Sequence, residues 1–158
     1  HGRLPGTHPV MEMDRIECVA QRGVRGDRYF DHQPDFRGQI TFFDWGVFER
    51  MRHELELPND ATVAGTRRNV ILEGVTLTDW IGAEFEIQGV RFAGTEECRP
   101  CYWMNDAFRN VRAEAWLRGH GGLRARILTS GVLRRDVAAD SAESVPSVKA
   151  HPEAKLEV

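Results

Sequence analysis

A chain of 158 residues with 41% hydrophobic and 28% charged residues has the balance of one soluble globular domain with a single core. A formal net charge of −3 gives no global electrostatic case for nucleic acid as a partner. No apolar run approaches the roughly 20 residues of a membrane span, three cysteines are too few for a disulfide framework, and no signal-peptide pattern is present, so a cytoplasmic protein without a membrane role is expected. The chain begins at His1 rather than Met, which leaves room for residues upstream.

Residues 1–9 are rich in Gly, Pro and His and read as loop. The partial alternation of 13–20 predicts a strand that contains Cys18, a residue more often buried as a small apolar group than reactive. Residues 21–28 form a loop punctuated by two glycines. A strand follows at 39–43, and Asp44 is placed to cap a helix whose inner face is Val47, Phe48, Met51 and Leu55, ending near Leu57 and Pro58. Residues 66–72 turn from polar to β-branched and predict another strand, and 76–82 a short helical turn. Residues 84–87 and 90–93 predict a hairpin about Gln88 and Gly89. Asn105 is placed to cap a helix through about Arg118, with Phe108, Val111 and Ala115 inward and Gly119 as its stop. A second hairpin is expected from 123–129 and 132–136 about Ser130 and Gly131. From Ala138 onward Ala, Ser, Pro and Glu dominate, which predicts a disordered tail. Short strands in hairpins with two inserted helices imply a mainly β fold, an antiparallel β-barrel or curled sheet.

Of the 21 basic residues only Lys149 and Lys155 are lysines, both in the expected tail. The body relies on arginine, which recognises carboxylate and phosphate in a planar, bidentate way; a GC-rich genome would produce the same bias. A Schiff-base enzyme needs a lysine amine in its pocket, so no covalently bound pyridoxal phosphate is expected.

The stretch 95–104, T-E-E-C-R-P-C-Y-W-M, holds two cysteines three positions apart. Zinc would require two further ligands, and a thioredoxin-like redox pair a βαβ context. A structural accident, or a thiolate that carries sulfur or ligates a soft metal, completes the alternatives. For reactive chemistry Cys101 is the better placed sulfur: it precedes the expected helix N-terminus, whose partial positive charge stabilises thiolate, and Arg99 adds a cation. Cys98, at a strand end, is expected to be partly buried, as a resolving or supporting thiol. Three polar clusters could share a pocket with it. Arg25, Asp27 and Arg28 lie in a two-glycine loop that can cradle an anion or simply turn. Arg67, Arg68 and Asn69 open a strand, where alternation sends the two arginines to opposite faces. Arg124, or Arg126, follows the run 119–122, in which His120 reads as a surface loop residue more readily than as a ligand.

Taken together, G-V-R-G-D-R, R-R-N-V-I-L-E-G-V, E-C-R-P-C and G-H-G-G-L-R-A-R-I-L-T-S-G, in this order over about 11–136, resemble the MOSC domain, the C-terminal domain type of molybdenum cofactor sulfurases, in its small stand-alone bacterial form. The resemblance implies a PK β-barrel-like fold with inserted helices over 1–137 and a tail over 138–158. It implies an invariant cysteine, here Cys101, that ligates molybdenum or carries sulfur as a persulfide. It further implies the molybdenum cofactor (molybdopterin) as ligand, with Arg25, Asp27, Arg28, Arg67, Arg68, Asn69, Arg99 and Arg124 around it and Cys98 in support. Pyridoxal phosphate would then belong to a partner such as a cysteine desulfurase; the other partner the family implies is an electron-donor protein. Three functions follow as expectations: cofactor binding or sulfur transfer, reduction of N-hydroxylated bases by a molybdenum-dependent system, and, from a different class, non-catalytic anion or metal binding. Two departures stand out. The family's N-terminal strand is absent before His1, leaving one barrel edge unpaired, swapped or completed from upstream, and the last hairpin ends in Arg135 and Asp136 where Gly-Asp is usual.

Overall fold

The computed structural model describes residues 13–135 and the backbone of residues 155–157. It contains nine strands: β1 (Arg15–Val19), β2 (Gly23–Val24), β3 (Ile40–Asp44), β4 (Val70–Glu73), β5 (Glu84–Ile87), β6 (Val90–Glu97), β7 (Leu123–Ile127), β8 (Gly131–Arg134) and β9 (Lys155–Glu157). Three helices, α1 (Trp45–Glu54), α2 (Trp103–Ala107) and α3 (Ala113–Leu117), and two single 3-10 turns at Val63–Thr66 and Leu77–Trp80 complete it. The strands form a curled sheet in the order β5-β6-β7-β3-β4-β9 and a smaller one in the order β2-β1-β8. The fold is mainly β and barrel-like with inserted helices, and among the described residues the strand pairings are antiparallel except β3 with β4, with an isolated parallel bridge between Ile81 and Gly94.

Alternation along the strands separates two cores. Phe42, Val70, Leu72, Phe85, Phe92, Leu123, Ala125 and Ile127 fill the inside of the curl, with Ile16, Cys18 and Leu133 from the small sheet. Phe43 and Ile71, one position out of phase, face the other way and pack on Phe48, Met51, Met104, Phe108 and Leu117 of the helical layer. The α1 start is as the sequence implies: Gly46 N–H donates to Asp44 Oδ1 at 2.8 Å, and Val47, Phe48 and Met51 are buried. The hairpin at Gln88 and Gly89 also forms, with φ of 50° and 82° at the two turn residues, the left-handed pair that matches strand twist. Gln88 does a second thing. Its side-chain amide donates Nε2–H to the Arg134 carbonyl at 2.9 Å and accepts the Arg134 N–H at Oε1 at 2.7 Å, joining the hairpin tip to the end of β8.

Three expectations need correction. The helix expected from Asn105 to Arg118 is two short helices broken over residues 108–112. Arg109 adopts φ of 51°, Asn110 Oδ1 accepts the Arg112 N–H at 2.8 Å, and Asn105 Oδ1 accepts the Glu114 N–H at 2.9 Å; such local bonds compete with the helical ladder. The break re-phases the second half, so Val111 is 88% exposed, Ala115 is exposed, and Ala113 and Leu117 are the buried residues. The second hairpin does not exist as such. β7 pairs with β3 and β6, whereas β8 crosses to pair with β1, because the chain leaves one sheet for the other at Ser130, whose Oγ accepts the Ala20 N–H at 2.9 Å. The strand expected from 66 begins only at Val70, since Arg67 takes φ of 58°. Arg67 and Arg68 are therefore not strand residues on alternate faces. Most of the expected tail lies outside the described residues, and the backbone of β9 pairs antiparallel with β4. Among the described residues no helix is long and apolar enough to cross a membrane.

Two stability predictions follow. A Cβ on Gly94 would meet the Trp80 carbonyl oxygen at 2.0 Å, a backbone atom that cannot yield. Gly94→Ala is expected to destabilise by about 1–3 kcal/mol in urea unfolding. Burial pushes the Cys18 thiol from its ordinary 9.0 up to about 12, with Glu17 adding to the rise. Between those values the unfolded chain ionises Cys18 and the folded chain does not, so its contribution to stability is intact below about 9 and is lost toward 12, by up to about 1.4 kcal/mol per pH unit. Denaturation curves collected from about pH 8 to 10 should show a shallower alkaline decline for Cys18→Ala than for wild type.

Candidate functional site

The sheet register brings four segments to one corner. Glu97, Leu123 and Phe42 lie in one row across β6, β7 and β3, and Val70 opens β4 beside Phe42. The cysteine loop leaves the end of β6 there, next to the glycines that precede β7. The Cys98 N–H donates to the Gly122 carbonyl at 2.8 Å. A Cβ on Gly121 would stand 2.2 Å from the Cys98 carbonyl oxygen and 2.8 Å from Pro100 Cδ, so the loop rests directly on bare backbone.

Arg68 fixes this arrangement. Its Nε donates to the Gly121 carbonyl at 2.8 Å, Nη1 to the Thr66 carbonyl at 3.0 Å, and Nη2 to the carbonyls of Cys98 at 3.1 Å and Arg99 at 3.4 Å. These acceptors are neutral carbonyls, and the positive charge of Arg68 bears on both thiols. Arg99 itself is exposed. The cation that bears on Cys101 is Arg68, not Arg99 as the sequence suggested.

Cys101 is partly buried. Burial pushes its thiol up, the Trp103 backbone N–H and Arg68 pull it back down, and Glu114 and Cys98 add to the rise. The net direction is upward. The expected stabilisation of thiolate by a helix terminus is thus corrected: α2 has five residues, too few for a useful dipole, and one N–H is what it offers. Cys98 is also pushed up by burial, with Arg68 and Arg124 opposing and Glu97 and Glu96 reinforcing.

Beside the loop, the Arg67 guanidinium lies over the Trp103 ring at 5.3 Å. Burial and the neighbouring Arg28 hold Arg67 below its ordinary value. Arg28 lies over Tyr29 at 4.7 Å and donates to its hydroxyl at 2.6 Å. Asp27 and Asn69 build the floor between the two-glycine loop and the strands. Asn69 Nδ2 donates to Asp27 Oδ1 at 3.2 Å, Asn69 Oδ1 accepts the Thr41 N–H at 2.8 Å, and Asp27 Oδ2 accepts the Tyr29 N–H at 2.9 Å. Arg124 is engaged by Glu96 and lies over Phe36 at 5.0 Å. Glu96 is held below its ordinary value: burial would raise it, but Arg124 and Arg37 outweigh that.

Of the sequence candidates, Arg28, Arg67, Arg68, Asn69, Asp27, Arg124, Cys98 and Cys101 converge. Arg25 does not join them; it pairs with Glu17 at 3.1 Å and lies against Phe30 on the small sheet. His120 is exposed beside Trp116. Among the described residues no group of three or more His, Cys, Asp or Glu forms that could hold a metal ion. Sequence reasoning missed Thr41, Glu96, Trp103 and the Gly121 carbonyl, whose roles depend on register across distant strands. Only Trp103, an aromatic next to the cysteine motif, carried a signal.

The comparisons agree on architecture. Among solved structures, the YuaD protein from Bacillus subtilis superposes with a TM-score of 0.64 at 17% identity, covering 77% of this chain and 81% of that one. YiiM from Escherichia coli gives 0.59 at 15% identity, covering 90% and 80%, and YiiM from Geobacillus stearothermophilus 0.56 at 17%, covering 77% and 55%. No curated protein matches by sequence. The family model described as "MOSC domain" matches residues 39–141, a stretch that runs from β3 past β8 and contains the cysteine loop, Arg67, Arg68 and Arg124, and on that match the chain belongs to the MOSC domain family.

Proposed function

We propose that this MOSC domain binds molybdenum cofactor, or hands sulfur to it, through Cys101. The observation that carries the reading is the convergence of a partly buried thiol with Arg68, which bonds backbone carbonyls and favours the ionised thiol, and with the adjacent pair Arg28 and Arg67.

The donor set suits a pterin that carries a dithiolene and a phosphate. Two like charges close enough to depress Arg67 favour an anion between or beside them, and guanidinium forks match phosphate oxygens. The planar face of Trp103, beside the Arg67 guanidinium, suits a flat heteroaromatic. A thiolate at Cys101 is a soft ligand of the kind molybdenum accepts. When bound, the group would supply a redox-active metal centre. The chain's own contribution is to hold that ligand at the loop, with the Trp103 N–H aimed at the sulfur and Arg68 favouring the ionised form.

As a carrier, the Cys101 thiolate attacks the outer sulfur of a donor persulfide, R–S–SH. The new S–S bond forms as the donor's S–S bond breaks, giving Cys101–S–SH and RS⁻. A cysteine desulfurase is one donor class that would supply such a persulfide; the body of this chain has no lysine for pyridoxal phosphate.

Cys101→Ala is expected to abolish both molybdenum content, read by elemental analysis of protein from a cofactor-competent host, and the mass gain of one sulfur atom after exposure to a persulfide donor. Unchanged molybdenum and unchanged sulfur uptake would sink the reading. Reduction of a hydroxylaminopurine by the loaded protein with an added electron donor would favour the reductase role, and binding of phosphate or zinc regardless of position 101 would favour a non-catalytic module. Arg68 can be tested separately. Its charge lowers both thiols, so Arg68→Gln should move the pH profile of Cys101 alkylation further to the alkaline side and slow the reaction by several-fold near neutral pH. Arg68→Lys keeps the charge and should restore the profile while leaving the loop more mobile to hydrogen exchange.

A further inference from the structure

Arg28 lies in the loop after β2 of the small sheet, and Arg67 just before β4 of the large one. We infer that Asn69 is the positioning residue that sets one against the other: its side-chain amide ties Asp27, and with it Arg28, to the start of β3 and β4. Asp27 and Asn69 then act on a ligand through the arginines, not as contacts of their own. An ionised carboxylate accepts hydrogen bonds and has no donor to offer an anion. The consequence for anion binding rests on the proposed role of Arg28 and Arg67; the tether itself does not.

Thr41 and Asn69 sit one position before Phe42 and Val70, the first backbone partners of β3 and β4. There the side chains continue the ladder. The Thr41 N–H donates to Asn69 Oδ1 at 2.8 Å, the Thr41 hydroxyl donates to the same oxygen at 3.0 Å, and the Asn69 N–H donates to Thr41 Oγ1 at 3.0 Å. These bonds orient the amide, and its Nδ2 donates to Asp27 Oδ1 at 3.2 Å. The other carboxylate oxygen accepts the Tyr29 N–H at 2.9 Å, and the Asp27 carbonyl accepts the Phe30 N–H at 3.0 Å, which closes a turn around Arg28. A Cβ on Gly26 would meet nothing within 4 Å, so packing does not hold the loop on that side and the carboxylate does. Thr41 is also the β3 partner of Arg124 in β7. One amide thus stands between the two-glycine loop and the strands that carry Arg67, Arg68 and Arg124.

The pair has a direction: position 69 donates and position 27 accepts. Asn69→Asp leaves the Thr41 bonds in place, because a carboxylate oxygen accepts as an amide oxygen does. At the Asp27 contact, however, it sets two carboxylates against each other, where like charges repel. Combining Asp27→Asn with Asn69→Asp reverses the direction and satisfies every partner. The new amide at position 27 keeps its oxygen for the Tyr29 N–H and donates to the carboxylate at position 69, whose other oxygen serves Thr41. The charge of the pair is then the same as in wild type.

The experiment uses the intact chain, with inorganic phosphate as the probe in calorimetric titration and amide hydrogen exchange followed at residues 27–30. Asn69→Asp should speed exchange at Tyr29 and Phe30 and weaken phosphate binding, each by about ten-fold, the factor that loss of one charge-assisted hydrogen bond implies. The double exchange should return both to near wild type. Arg28→Gln should weaken phosphate binding, and in that background Asn69→Asp should weaken it no further, since its effect passes through Arg28. A general loss of structure would lower affinity in either background and would not be rescued. Circular dichroism and urea unfolding establish that each variant is folded; if Asn69→Asp is not, Asp27→Asn alone, which leaves the Thr41 bonds untouched, should show a smaller form of both effects. Unchanged exchange at 27–30 in the single variants, or a double exchange that rescues nothing, overturns the inference. If exchange follows the expected pattern while no form of the chain binds phosphate, the tether stands and the anion role of Arg28 and Arg67 fails.

Discussion

The loop that carries Cys98 and Cys101 has almost no secondary structure of its own, and one guanidinium holds it in place. Arg68 spans three segments distant in sequence, bonding the carbonyls of Thr66, Gly121, Cys98 and Arg99. Bonds from a charged donor are worth about 1.5–3 kcal/mol each when shielded from water, and Arg68 is only partly exposed. Because the acceptors are carbonyl dipoles, the side chain fixes the backbone and still projects its charge onto the thiols. A carboxylate partner would have fixed the position and cancelled the field. Lysine could not reach so many acceptors in one plane, which gives the arginine bias of the body a local physical meaning at this position.

The mainly β fold class was legible in the sequence, as were most of the strands and the first helix, whereas β2, read as loop, and the break between α2 and α3 were not. Alternation in β1, the hairpin at Gln88 and Gly89, and the Asp44 cap are local signals, so local reasoning reached them. The helix expected through Asn105 failed because its two asparagines bond backbone N–H groups further along the chain, a competition that an apolar spacing pattern does not display. The hairpin expected at Ser130 failed because turn chemistry does not say which sheet the next strand joins. Within the site, Arg28, Arg67, Arg68 and Arg124 were readable as residue types. Their division of labour was not. That Arg68 binds backbone as far away as Gly121, Arg124 binds Glu96 and Arg25 stays with Glu17 depends on how the strands pair and not on any local pattern.

The electrostatics also settle into a particular balance. Burial outweighs the favourable groups, so both loop thiols are mostly protonated in the resting domain. A thiol of raised pKa is slow to react with adventitious oxidants yet intrinsically more nucleophilic once ionised. On the proposed function, a metal centre bound at Cys101 would displace its proton.

The seam between the two sheets depends on Gln88, a residue placed in a left-handed conformation where glycine or asparagine is usual. The strain there persists because the same side chain reproduces, with one amide, the pair of bonds that a neighbouring strand would give Arg134. A better turn residue would shorten or delete that amide and leave the end of β8 without its clasp. Local ideality and barrel closure are in direct conflict at this position, and the chain keeps the closure.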